Sequence, residues 1–420
     1  MHLLVLVGLT PFSGWAADWP QFRGANRDNV WNETGILQRF PAAGLKFRWS
    51  ASVGPGNSSP VVADGRVCLT DSESKGTTNW ERIHCFEEAT GKRIWTHRYP
   101  VDFAYGHNPD NPTGPCPTPA IDDGRVFTLG SIGHLSSYDV RTGKVLWRKN
   151  LAPDYNLIEK PNLTACPLVD GNRLILVIGG KPNACVVALD KRSGREIWRA
   201  LGDRPRAYSS PIIIKAGGQR QLIVWTPESV SSLNPLTGET WWRERLNTRE
   251  DYAGATPVFQ DDLLLVSGLM FQLGRNKPAA KILWPERLIL SQRVLSNTCM
   301  PMIRDGLAIG ADIHGKLHCR DARTGRKLWE AGGLTGPERY GSIHLTPNGN
   351  SVFLYTDQGN LIRARLDRTG CHELSRVHLL EPTLEIRGRK VVWSPPAYAN
   401  GHIFARNYRK LICASLREQP

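Results

Sequence analysis

The sequence repeats a short signal: Thr or Ser, then Gly, three further residues and a Trp. It reads Thr90-Gly91 to Trp95, Thr142-Gly143 to Trp147, Ser193-Gly194 to Trp198, Thr237-Gly238 to Trp242 and Thr324-Gly325 to Trp329. A second signal interleaves with it, a Pro about five residues before a turn glycine. Its copies are Pro60 to Gly65, Pro119 to Gly124, Pro301 to Gly306 and Pro396 to Gly401, with Pro167 to Gly171 one residue shorter. Pro211 and Pro257 open matching copies without the glycine, and His344 stands in the proline place before Gly349. These markers define eight units spaced 43 to 59 residues apart. Units of that period cannot bury an apolar face alone and must stack on their neighbours.

Each unit reads as four short strands. In the first, Ser59 to Ala63 and Arg66 to Thr70 flank a turn at Asp64-Gly65, and Ile83 to Glu87 and Lys92 to Arg98 flank a turn at Thr90-Gly91. Short β-branched and apolar runs bounded by Gly, Asp or Asn are the pattern of an antiparallel meander. Four strands per repeat make a propeller blade, so an all-β, eight-bladed β-propeller of four-stranded antiparallel blades is expected. A proline at the first residue of each inner strand forfeits no ladder bond. The turn glycine supplies a positive φ, and the Trp four residues later offers its face to the adjoining blade. Trp49, Trp95, Trp147, Trp198, Trp242, Trp284 and Trp329 are assigned this docking role.

The last unit starts at Ser394 and reaches only a third strand, Lys410 to Leu416. Near the other end, Leu45 to Trp49 has the look of an outer strand with no blade before it. Joining the two completes the eighth blade, closes the ring and removes free sheet edges. The propeller then occupies residues 45–416, preceded by an extended segment, 18–44. In the seventh unit Leu374 takes the Trp place after Thr369-Gly370, and in the fifth the Thr-Gly turn is replaced by Gly274 to Ala280 before Trp284.

Residues 1–17 run through an apolar stretch, Leu3 to Leu9, and end on Ala16 and Ala17, which reads as a secretory signal peptide and implies a secreted or periplasmic protein. The apolar run is too short to span a bilayer, so no transmembrane segment is expected. The chain has 40% hydrophobic and 22% charged residues, a globular and not a disordered composition. Net charge is +14, from 53 basic and 39 acidic residues, which attracts anionic partners. The basic residues are dispersed, with no run of five, so a solvated basic surface is expected and no specific binding of nucleic acid. Nine cysteines show no C-x-x-C spacing. They read as small buried side chains, with Cys68 and Cys85 the first pair to test for a bridge.

The repeat resembles that of the pyrroloquinoline-quinone (PQQ)-like propeller superfamily, whose blades carry Ala-x-Asp-x-x-Thr-Gly-x-x-x-Trp. The nearest copies are Leu189-Asp190 to Trp198 and Tyr138-Asp139 to Trp147, and the resemblance covers Leu45 to Leu416. The opening Asp18-Trp19-Pro20-Gln21-Phe22-Arg23-Gly24 through Arg27-Asp28 is similar to that of exported bacterial PQQ-like repeat proteins. The superfamily holds quinoprotein dehydrogenases, which carry PQQ and calcium in the channel, and non-catalytic members such as the outer-membrane-assembly propeller BamB.

A quinone site needs flat faces to sandwich the ring, basic groups for its carboxylates, oxygen ligands for calcium and a carboxylate base. The adjacent cysteine pair that family alcohol dehydrogenases use is absent, as are a calcium loop, a zinc helix, a Gly-x-Ser-x-Gly elbow and a phosphate loop. The sequence therefore favours a non-catalytic monomer that binds an envelope protein or a polysaccharide, with no cofactor and no metal. Its binding residues are expected where each outer strand links to the next inner strand, because those links gather at one mouth of the channel. They are Asn57, His107, Asn111, Arg206, Tyr208, Tyr252, Arg339, Tyr340 and Trp393. Arg206 with Tyr208, Asp251 with Tyr252 and Arg339 with Tyr340 each set an ionic group beside an aromatic ring, chemistry suited to a sugar, a peptide or an anionic planar ligand. The alternative is a PQQ-dependent alcohol or sugar dehydrogenase, with Arg206 and Arg339 on the quinone carboxylates and Asp251 as base. Two long loops, Asp71 to Arg82 and Tyr99 to Pro117, are expected to project at the same mouth.

Overall fold

The computed structural model describes residues 17–102, 114–158, 162–203, 209–246, 254–266, 268–285, 295, 299–336, 341–386 and 388–418. Eight four-stranded antiparallel sheets follow one another around a ring, each meandering from an inner to an outer strand. Blade 1 is typical in order: Val61–Ala63, Arg66–Lys75, Thr78–Glu87 and Arg93–Val101. Blade 8 takes three strands from the end of the chain, Ala397–Ala399, His402–Arg406 and Lys410–Ser415, and its outer strand from the beginning, Phe47–Ser52. Ala51 lies opposite Leu411 and Trp49 opposite Cys413, so the ring closes where the sequence places the closure, with the outer strand starting two residues later than expected.

The docking tryptophans show how one blade holds the next. Gly91, Gly143, Gly194, Gly238 and Gly325 all have φ between +71° and +77°. A Cβ built on Gly143 would lie 2.6 Å from the Trp95 ring, so glycine is required there by close approach as well as by φ. The indole N–H adds a bond the sequence did not reveal. It donates to a main-chain carbonyl of the following blade, Trp49 to Glu88 at 2.7 Å, Trp95 to Val140 at 3.0 Å, Trp147 to Lys191 at 3.1 Å and Trp284 to Ala322 at 2.9 Å. Trp198 and Trp329 do the same to Pro235 and Asp367. Trp242 departs from the pattern because blade 5 lacks the Thr-Gly turn. Its N–H bonds Gln221 of its own blade, and its ring packs on Phe271 of blade 5. The aspartate of the turn motif is explained locally: Asp139 Oδ1 accepts from the Thr142 amide and hydroxyl, and Asp190 does so from Ser193.

Two expectations are corrected. Residues 71–82 are a continuation of the second and third strands of blade 1, paired through Lys75 with Thr78, and not a loop. Tyr99 likewise belongs to the outer strand, which runs to Val101. The nine cysteines are thiols. Cys68 and Cys85 do face each other across paired strands, fully buried, but are unbridged. No helix among the described residues is long and apolar enough to cross a membrane.

Candidate functional site

The residues before each inner-strand proline form the wall of the channel, and they bond one another around the ring. The Ser59 amide donates to Thr118 Oγ1 at 3.0 Å, the Thr118 amide to Cys166 Sγ at 3.3 Å and the Cys166 amide to Ser210 Oγ at 2.9 Å. Between blades 6 and 7 the direction reverses, and the Ile343 amide of blade 7 donates to Cys299 Sγ of blade 6 at 3.2 Å. Small hydroxyl and thiol side chains recur here because each accepts an amide of a neighbouring blade.

Residues 18–40 lie across the mouth at the other end of the inner strands. Trp19 pairs with Val62 of blade 1, Pro20 O accepts from Ile121 of blade 2, and Asn29 and Trp31 bond Leu345 and Pro347 of blade 7. Glu33 accepts from Asn400 N of blade 8 and from Trp31 Nε1. Only a segment lying on the ring axis reaches inner strands on opposite sides. From it two guanidiniums enter the channel. Arg27 donates to Pro211 O at 2.9 Å, Pro167 O at 2.8 Å and Cys166 O at 3.2 Å, and Arg23 donates to Pro257 O at 3.0 Å. Each is 2% exposed, and burial lowers each pKa to about 10. Both sit at positive φ, 67° and 58°, with Gly24 and Asn29 also left-handed, a run of conformations that turns their side chains inward. Sequence reasoning missed this plug. Its signal was Trp19, Phe22, Trp31 and Phe40 in the stretch read as an extended segment, where aromatics would have no core to join.

Of the residues expected at the linked mouth, the structure describes Asn57 and Trp393 and brings them together. Asn57 Oδ1 accepts from Tyr408 Oη at 3.2 Å, Tyr408 and Trp393 pack on Leu384, Ile386 and Val391, and Ser394 Oγ lies 3.5 Å from Gly56 O. Trp393 Nε1 is enclosed without a partner. His107, Asn111, Arg206, Tyr208, Asp251, Tyr252, Arg339 and Tyr340 lie outside the described residues, as does the expected signal peptide apart from Ala17.

Ionisable groups also gather at this end of blade 1. Asp71, fully buried, takes a two-point contact from Arg82 at 2.7 and 2.9 Å, and His84 Nε2 lies 3.0 Å away. Burial opposes its charge, but His84 and Arg82 outweigh it and hold the carboxyl well below the usual range. Glu81 accepts from Ser131 N–H and Tyr99 O–H, which ties this hairpin to blade 2. Glu73 and Trp80, at the hairpin tip, both face Arg98. The network braces a long hairpin.

His344, in the proline place of blade 7, is buried, with Nε2 3.1 Å from Trp393 O and Nδ1 without a partner. Burial lowers its pKa to about 4. Its folded value lies below the ordinary 6.5, so the unfolded chain takes up this proton first. The stability it contributes is complete above about pH 6.5 and is lost as pH falls towards 4. His344→Gln is expected to flatten the fall of Tm between pH 6.5 and 4; an unchanged slope contradicts this.

A family model described as outer membrane protein assembly factor BamB, the PQQ_2 family, matches residues 79–331 and 226–419. The chain belongs to that family. A BamB of Burkholderia pseudomallei is 26% identical over 221 residues, 49% of this chain and 52% of that protein. The dehydrogenase subunit of a quinone alcohol dehydrogenase of Gluconacetobacter polyoxogenes is 23% identical over 53% of this chain, which spans only 31% of that enzyme. Among solved structures, BamB of Moraxella catarrhalis superposes with a TM-score of 0.60 at 16% identity, covering 88% of this chain and 99% of that one. A quinohemoprotein alcohol dehydrogenase of Comamonas testosteroni gives 0.66 at 16% identity, over 96% and 81%. At such identities the likeness is one of fold.

The fold is thus shared with quinone-type alcohol dehydrogenases and with an outer membrane protein assembly factor. Among the described residues no three His, Cys, Asp or Glu side chains converge as a metal-ligand set. The sequence holds no adjacent cysteine pair to face a quinone. Arg206, Asp251 and Arg339, which a quinone site would require here, lie outside the described residues.

Proposed function

We propose that this BamB-family propeller is an exported, non-catalytic recognition module whose linked mouth binds an envelope protein or a polysaccharide. One observation carries the reading: the far mouth is covered by the chain's own residues 18–40, with Arg23 and Arg27 fixed to the inner strands of blades 3 to 5. The linked mouth, where Asn57, Tyr408 and Trp393 come together, is then the surface offered to a partner in this reading. The extended hairpin of blade 1 stands beside it. A quinone oxidoreductase is the second reading, favoured by the likeness to the Gluconacetobacter dehydrogenase subunit, and it requires Asp251, Arg206 and Arg339 to act together.

Capture from an envelope extract separates site from scaffold. Replacing Arg206, Tyr252 and Arg339 together with alanine is expected to leave the melting curve unchanged and abolish capture of the partner. Undiminished capture by the folded triple variant contradicts the site.

A further inference from the structure

Between the plug and the inner strands of blades 3 to 5 lies a cavity of about 400 Å³, at the mouth opposite the recognition surface. It is lined on one side by Gln21, Arg23, Arg27 and Asp28 and on the other by Val169, Ile213 and Phe259, with Lys215 and Arg220 at its rim. Its volume falls within the range of small-molecule sites.

Its charge is unbalanced. Four cationic residues line it against one carboxylate, Asp28. Arg220 is neutralised by Asp170 at 2.5 Å, but every hydrogen bond of Arg23 and Arg27 goes to a main-chain carbonyl. The Nε of each is enclosed with no partner, and so is Gln21 Oε1. A guanidinium is usually buried against a carboxylate, because its charge must be compensated as well as its N–H groups. Two such groups four residues apart, both in left-handed backbone, are an arrangement that the closure of a mouth does not by itself require. The opposite wall is apolar: Val169, Ile213 and Phe259, all half-buried, line it.

We propose that this cavity is a binding site for a small organic carboxylate with an apolar body, the carboxylate directed to Arg23 and Arg27 and the body against Val169, Ile213 and Phe259. The chemistry is that of a free amphiphilic acid or of the carboxyl end of a peptide whose last residue is apolar. It stands independently of the function proposed for the other mouth.

Isothermal titration of the full chain with N-acetyl-L-phenylalanine, its amide, a peptide ending in free phenylalanine and inorganic phosphate tests this. The free acid is expected to bind at least about tenfold more tightly than the amide, the ratio that one charge-assisted pair supplies. If the peptide binds more tightly than the acetyl amino acid, the source is a peptide end; if equally or less tightly, a free acid. Arg23 and Arg27 hold the plug, so the variant that tests the wall is Ile213→Thr, which removes apolar contact without adding a charge and is expected to weaken acid binding several-fold in a chain that still unfolds cooperatively. Equal binding of acid and amide, equal binding of acid and phosphate, or no binding of any probe at millimolar concentration overturns the proposal.

Discussion

Arg27→Ala is expected to destabilise the folded chain by about 3 kcal/mol or more. The side chain satisfies the carbonyls of Cys166, Pro167 and Pro211, and each one left unpaired in a dry interior costs about 1 kcal/mol or more. One effect opposes this, because burying the cation carries its own desolvation cost. The carbonyls outweigh it, so the sign stays destabilising. Arg27 also sits at φ 58°, where any side chain, alanine included, costs about 1–2 kcal/mol relative to glycine, so Arg27→Gly is expected to be milder than Arg27→Ala. Urea unfolding read by tryptophan fluorescence measures both. A stability equal to the wild type for Arg27→Ala would mean the plug is not held as described.

Trp284→Ala is expected to cost about 3–5 kcal/mol, the range for truncating a large buried aromatic. Its ring is 7% exposed, packs on Gly325 of blade 6 and donates to Ala322 O, so the change opens the joint between two blades. Trp242→Ala is expected to cost clearly less, because that ring is half-buried and its N–H bonds Gln221 within its own blade. Chemical unfolding of the two variants side by side checks the contrast. Equal losses would show that indole-to-carbonyl bonds between blades do not matter.

These two cases mark what the sequence revealed and what it hid. Trp284 was legible despite its altered turn, because a propeller repeats the same joint and the period singles the residue out. The closure by Phe47–Ser52 was legible for a related reason, since a blade short of one strand requires a donor. Arg23 and Arg27 were not, because their partners are carbonyls of blades 3, 4 and 5, more than a hundred residues away, and no local spacing records such contacts. Residues 71–82 were read as a loop because Asp71, Ser72, Glu73, Glu81 and Arg82 are polar on both strand faces, which hides the alternation that signals a strand. At the linked mouth, Asn57 was found from its position before an inner strand, whereas Tyr408, its partner, lies in a turn of blade 8 that carries no repeat signal.

The central proposal is that this propeller recognises a partner in place of a redox cofactor. The direct measurement is thermal unfolding of residues 18–420 with PQQ and calcium, against calcium alone. A ligand of the folded state at a hundredfold its Kd adds about 2.7 kcal/mol, which a melting curve resolves. The account predicts superimposable curves; a clear rise in Tm with PQQ would contradict it and assign the linked mouth to quinone chemistry.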